Sequence, residues 1–105
     1  MALKLRLDEQ AKGDVAEIRA YLPERYGEAT ANRVRDHLRE RFRKLQAQPL
    51  ILGVDTTQPG IRYLAPSRYP YRIYYTVTAV AVVILHIRHS ARLDPDLGEL
   101  GKNNQ

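Results

Sequence analysis

The chain has 105 residues, 44% of them hydrophobic, and 17 Lys plus Arg against 12 Asp plus Glu leave a formal charge of +5. That length suits a single domain with a real core and excludes a disordered chain, while the absence of cysteine excludes a disulfide scaffold, a thiolate nucleophile and any cysteine-ligated metal centre. No apolar run approaches the ~20 residues of a membrane span, and residues 1–8 lack the apolar stretch of a signal peptide, so a cytoplasmic protein is expected.

Residues 3–7, Leu-Lys-Leu-Arg-Leu, alternate strictly and predict a short strand. Asp8 suits an N-cap. Ala11, Val15, Ile18 and Leu22 then recur at spacings of four, three and four, which predicts an amphipathic helix with Asp14, Glu17 and Arg19 off its apolar face. Pro23 is compatible with its end or with a kink, and Gly27 is a firmer stop. A second helix is expected from about Glu28 to Ala47, with Ala31, Val34, Leu38, Phe42 and Leu45 on one face. Its other face is basic, with Arg33, Arg35, Arg39, Arg41, Arg43 and Lys44. Two helices joined this closely should pack as an antiparallel hairpin.

Residues 49–60 read as a loop, punctuated by Pro49, Gly53, Pro59 and Gly60. Ile61–Ala65 reads as a strand stopped by Pro66, and Ser67–Pro70 as a turn. From Tyr71 to Val77 the pattern places Tyr71, Ile73, Tyr75 and Val77 on one face and Arg72, Tyr74 and Thr76 on the other. Val80–Ile87 is almost continuously apolar and β-branched, as a strand covered on both faces would be. The order β-α-α-β-β-β predicts an α+β fold, a helical hairpin on a mainly antiparallel twisted sheet. Residues 1–93 form the domain and 94–105 a polar tail.

Charge is unevenly placed. Residues 56–93 contain Arg62, Arg68, Arg72, Arg88 and Arg92 and no carboxylate, so this segment alone carries a charge equal to that of the whole chain. Arginine suits bidentate contact with phosphate or carboxylate, which points to a nucleic acid or an acidic protein partner; an ordinary solvated face has the same composition. Five of the seven tyrosines lie between 63 and 75, where they could form a binding surface or the rim of the core. His37, His86 and His89 have no i, i+4 pair and make no metal site; His86, inside the apolar run, reads as a hydrogen-bonded core histidine.

The run Tyr71-Arg72-Ile73-Tyr74-Tyr75, an apolar strand, and Ile87-Arg88-His89-Ser90-Ala91-Arg92 together resemble the C-terminal half of the RelE/ParE superfamily of bacterial type II toxin–antitoxin toxins. Ser90 stands where the ParE branch usually has glycine. In the N-terminal half Ala11, Asp14, Ile18, Tyr21, Tyr26-Gly27 and Ala31 follow the spacing of that branch, and the resemblance spans roughly residues 3–95. It implies a small toxin wrapped and neutralised by a ParD-like antitoxin, which contacts DNA only indirectly, through that antitoxin, and needs no cofactor.

Two activities occur in the superfamily: RelE-like members cut messenger RNA in the ribosome, and ParE-like members inhibit DNA gyrase. The RelE-like reaction implies strand arginines, matched by Arg72 and Arg92, together with proton-transfer groups. The C-terminal tyrosine has no counterpart here, since none follows Tyr75, and no glutamate lies between Glu40 and Glu99. A gyrase inhibitor without catalytic residues is therefore expected; were the chain a nuclease, Arg72, His89 and Arg92 would carry the chemistry. The candidates for contact with target or antitoxin are Arg62, Arg68, Tyr69, Arg72, Tyr74, Arg88, His89 and Arg92.

Overall fold

A computed structural model of the chain describes residues 3–89. Alternation gives strand β1 (Lys4–Leu7), with Leu3, Leu5 and Leu7 packed against the core and Lys4 and Arg6 exposed. Asp8 caps helix α1 (Glu9–Tyr26) by accepting the Ala11 N–H at 3.1 Å. The helix runs through Pro23 and stops only at Gly27, whose φ of 88° L side chains rarely adopt. Pro23 costs the helix one backbone donor in its last turn, and its own carbonyl accepts the Gly27 N–H at 3.0 Å.

Helix α2 (Glu28–Ala47) buries Ala31, Val34, Leu38, Phe42 and Leu45 and turns its basic face outward. The segment expected to be a plain loop contains a one-turn helix α3 (Pro49–Leu52) and a two-residue strand β2 (Val54–Asp55). Proline at the first position presets a helical φ there, and partners elsewhere in the chain take up the carbonyls of the turn. Strands β3 (Arg62–Leu64), β4 (Tyr71–Val77) and β5 (Ala81–His89) follow.

The sheet order is β1-β5-β4-β3-β2; β1 pairs parallel with β5 and every other pair is antiparallel, which makes the fold α+β. The helical hairpin covers one face. There Tyr71, Ile73, Tyr75, Val82, Ile84 and Ile87 join the helix residues in the main core. On the other face Ile61, Tyr74, Ala81, Val83 and Leu85 form a second buried cluster. Strand β5 is thus covered on both sides, as its composition predicts.

Two irregularities meet near Ile84. Strand β1 ends there, Leu7 facing Ile84 and the Asp8 N–H reaching the Ile84 carbonyl at 3.0 Å, while β5 runs on to His89. Just beyond, Tyr75 pairs with Ile84 but Tyr74 pairs with His86, so Leu85 is a bulged extra residue. The bulge resets the alternation. Leu85 and His86 both lie on the face away from the helices, and Ile87 and His89 return to the helix face.

Candidate functional site

A row of three rings crosses the sheet on the face opposite the helices. Tyr63 on β3 pairs with Tyr74 on β4, which pairs with His86 on β5. The ring centroids are 6.0 Å apart for Tyr63–Tyr74 and 6.1 Å for the stacked Tyr74–His86 pair. Beside this row Arg72 and Arg88 face each other directly across β4 and β5. The Arg72 guanidinium lies 5.3 Å over the Tyr63 ring and donates to the Tyr74 hydroxyl at 3.4 Å. Like charges in directly opposed positions repel, so an arginine pair here costs stability unless an anion or an aromatic face compensates. Tyr74 and Arg88 are almost fully buried, at 3% and 4% exposure.

His86 is held from the side by Asp14. The Asp14 carboxylate lies 2.6 Å from His86 Nδ1, accepts the Ile87 N–H at 2.9 Å, and accepts from Gln10 Nε2 at 3.0 Å. The end of β1 makes this possible. Among the described residues no strand lies beside that edge of β5 beyond Ile84, and the first turns of α1 carry a carboxylate there. Sequence reading put Asp14 off the apolar face of α1; the structure corrects this, because the residue is 7% exposed and acts as a side-chain substitute for the missing strand. His86 is the hydrogen-bonded histidine its apolar surroundings predict, and Asp14 is the partner that sequence did not name.

The remaining candidates do not converge on this face. Arg62 is a staple: it donates to Asp55 at 2.7 Å, to the Gly53 carbonyl at 2.6 Å and to the Leu50 carbonyl at 3.1 Å. Its Nε approaches the Tyr75 hydroxyl at 3.3 Å, and that hydroxyl donates to the Pro49 carbonyl at 2.6 Å. The Tyr75 hydrogen bond holds the Arg62 guanidinium above its ordinary pKa, with Asp55 adding to the shift and partial burial opposing it. Arg68 (φ 65°) and Tyr69 sit in a turn fastened to α2. There His37 Nε2 lies 2.7 Å from the Ser67 carbonyl and 5.2 Å separates the His37 and Tyr69 rings. Arg41 donates to the Ala65 carbonyl at 2.6 Å, and burial pushes its pKa below the ordinary value. His89 packs edge-on against Tyr71 at 5.8 Å on the helix face, the opposite side of the sheet from Arg72 and Arg88. Arg92 and the tail lie outside the described residues. Among the described residues no three His, Asp or Glu side chains gather to hold a metal ion.

A family model described as the ParE toxin of the type II toxin–antitoxin system parDE matches residues 5–94. The chain belongs to the ParE toxin family. No curated protein matches the sequence. Among solved structures, the ParE family chain is similar to one from a chromosomal ParDE system of P. aeruginosa, with 22% identity and a TM-score of 0.74 over 84% of this chain and 96% of that one. A RelBE toxin–antitoxin complex from Mycobacterium tuberculosis gives 24% identity and a TM-score of 0.60 over 88% and 95%. The isolated E. coli RelE toxin gives 22% and 0.61, over 89% of each chain. These likenesses establish that the toxin has the RelE/ParE fold.

In this ParE-family toxin the arginines of residues 56–89 serve separate ends. Arg62 pins the α3–β2 segment, Arg68 stands exposed in a turn stacked 5.6 Å over Tyr69, and only Arg72 and Arg88 share a surface. Among the described residues no helix is long and apolar enough to cross a membrane.

Proposed function

We propose that this toxin acts by binding, inhibits DNA gyrase, and is neutralised by a ParD-like antitoxin through which alone it meets DNA. One observation supports binding over catalysis: Arg72 and His89 point to opposite faces of the sheet. A general base must lie within hydrogen-bond reach of the proton it takes, so these two cannot serve one phosphate. The burial of Arg88 agrees, since a nuclease must present its cations to the RNA backbone.

A second reading rests on His86. A carboxylate on Nδ1 fixes the ring and leaves Nε2 as a potential base, and His86 stands in line with Tyr74 beside Arg72. This arrangement favours an mRNA endoribonuclease of the RelE kind. Induction without the antitoxin separates the two. Filamentation with a DNA-damage response and continued translation is expected; rapid translation arrest with codon-phased mRNA cuts that vanish in His86→Gln would overturn the first reading in favour of the second.

A further inference from the structure

Helix α1 carries Glu17 and Glu24 two turns apart, with Tyr21 between them on the same face. They overhang a groove of about 590 Å³ between α1 and the part of β5 that outruns β1. Its lining includes Ile18, Tyr71, Ile87 and His89, with Tyr71 and Ile87 already buried in the core. The described lining contains three carboxylates and neither lysine nor arginine, in a chain whose net charge is +5. One of the three, Asp14, is engaged by His86 and Ile87. Glu17 and Glu24 have no ion-pair partner among the described residues. The groove on the other side of α1, towards α2, has the opposite character: Arg19, Arg35 and Arg39 rim it.

A pair of carboxylates about 10 Å apart along a helix repel each other weakly and attract any cation that bridges them. The ring between them already accepts a guanidinium, because Arg25 lies 5.7 Å over Tyr21, which is 47% exposed. We infer that this groove receives a basic segment of the antitoxin. Two lysine or arginine side chains spaced about 10 Å apart meet Glu17 and Glu24, and an apolar or aromatic residue between them packs on the half-exposed Tyr21 ring and the partly exposed Ile18. The inference rests on the reading of the chain as an antitoxin-bound toxin. Charge complementarity selects the occupant: an acidic segment would meet the two carboxylates of Glu17 and Glu24, and a second copy of this chain, if it came through its basic α2 face, would have to hold two net-positive molecules together.

The test is the affinity of the purified cognate antitoxin for the wild-type toxin and for the double variant Glu17→Lys/Glu24→Lys. The control Glu9→Lys/Asp36→Lys changes the net charge equally at exposed sites outside the groove. We expect the groove variant to bind about thirtyfold more weakly and to lose most of the salt dependence of the wild type, while the control changes affinity by about twofold or less. Equal weakening in both variants would mean that total charge, not the groove, matters and would overturn the inference. An unchanged affinity in the groove variant would also overturn it and leave the antitoxin reading intact. No binding by the wild type would overturn both. A lower melting temperature of the free groove variant, with the control unaffected, would assign the groove to the chain's own residues beyond His89 and likewise overturn the inference.

Discussion

Replacing Asp14 by alanine removes three interactions at the point where β1 gives out. The Ile87 N–H loses a 2.9 Å acceptor, His86 Nδ1 loses its 2.6 Å partner, and the Gln10 amide loses a 3.0 Å contact on the flank of the helix. Leaving a buried backbone donor unsatisfied costs about 1–3 kcal/mol, and a hydrogen bond to a charged group contributes about 1.5–3 kcal/mol. The Gln10 contact, an i, i+4 pair, adds no more than about 0.5 kcal/mol. Freeing the fold from a buried carboxylate offsets part of this loss. The expected net destabilisation is about 3 kcal/mol, a large share of the roughly 5–15 kcal/mol that holds a domain folded. At roughly 4–8 °C per kcal/mol for a domain of this size, the melting temperature should fall by about 12–24 °C.

Asn at position 14 separates the two principal roles. Its amide oxygen can still accept the Ile87 N–H, so Asp14→Asn should cost about 1 kcal/mol and keep that amide slow to exchange. Urea and thermal melts followed by circular dichroism, with amide exchange at Ile87, give both quantities. A loss within about 0.5 kcal/mol for Asp14→Ala would refute the idea that the carboxylate stands in for a strand. So would an Ile87 amide that exchanges no faster in Asp14→Ala than in the wild type.

Other substitutions test the rest of the scaffold. At Gly53 an added Cβ would lie 2.0 Å from the Tyr75 hydroxyl oxygen, and Tyr75 is fully buried, so Gly53→Ala should destabilise by about 1–3 kcal/mol. Gly13→Ala should do the reverse, raising stability by about 0.5–1 kcal/mol, because that site is helical with open space around it; melts showing the same sign for both would contradict this reading of the two glycines. Tyr75→Phe should cost about 1–2 kcal/mol by stripping the donor from the Pro49 carbonyl, and hydrogen exchange should quicken in residues 49–55 ahead of the rest. The raised pKa of Arg62 means that its contribution is complete below the ordinary arginine value and fades only above it. The penalty of Arg62→Gln should therefore stay constant between about pH 5 and pH 9, and a penalty that changed across that window would assign the stabilisation to another group.

What sequence reveals here depends on how local the cause is. Both long helices and strands β1 and β4 follow from periodicity, β5 follows from its unbroken apolar run, and helix α2 ends where its apolar spacing and Pro49 say it should. Asp14 was unreadable because its burial is decided by where a different element stops. Helical spacing puts it off the apolar stripe, and only the four-residue length of β1 opens the gap it fills. The bulge at Leu85 is equally hidden, since an unbroken apolar run looks the same with or without an extra residue, yet that bulge is what separates His86 from His89. Helix α3 was missed because the four residues from Pro49 are too few to show a period, and the turn is fixed by Tyr75 and Arg62 from distant strands.

The carboxylate-free stretch shows why a charge run is weak evidence of a surface. Linear density says that anions are welcome near residues 56–93; among the described residues folding sets Arg62 against the α3–β2 segment, Arg68 in an exposed turn and Arg72 opposite the buried Arg88. The acidic groove has the opposite history. Asp14, Glu17 and Glu24 are scattered among Lys12, Arg19 and Arg25, and nothing in their linear order marks them out. Helical geometry gathers them because steps of three and seven residues return to one face, while Arg19 falls on the side towards α2. The same short β1 that calls Asp14 into the sheet leaves a groove between α1 and the end of β5. One structural accident thus serves stability at its inner end and, on the proposal made above, recognition at its outer end. The two ends can be separated: Asp14→Asn should leave antitoxin affinity within about threefold of wild type while lowering stability, and Glu17→Lys/Glu24→Lys should do the reverse. If both variants moved affinity and stability together, the groove and the sheet would be one cooperative unit, and the division of labour along α1 would be wrong.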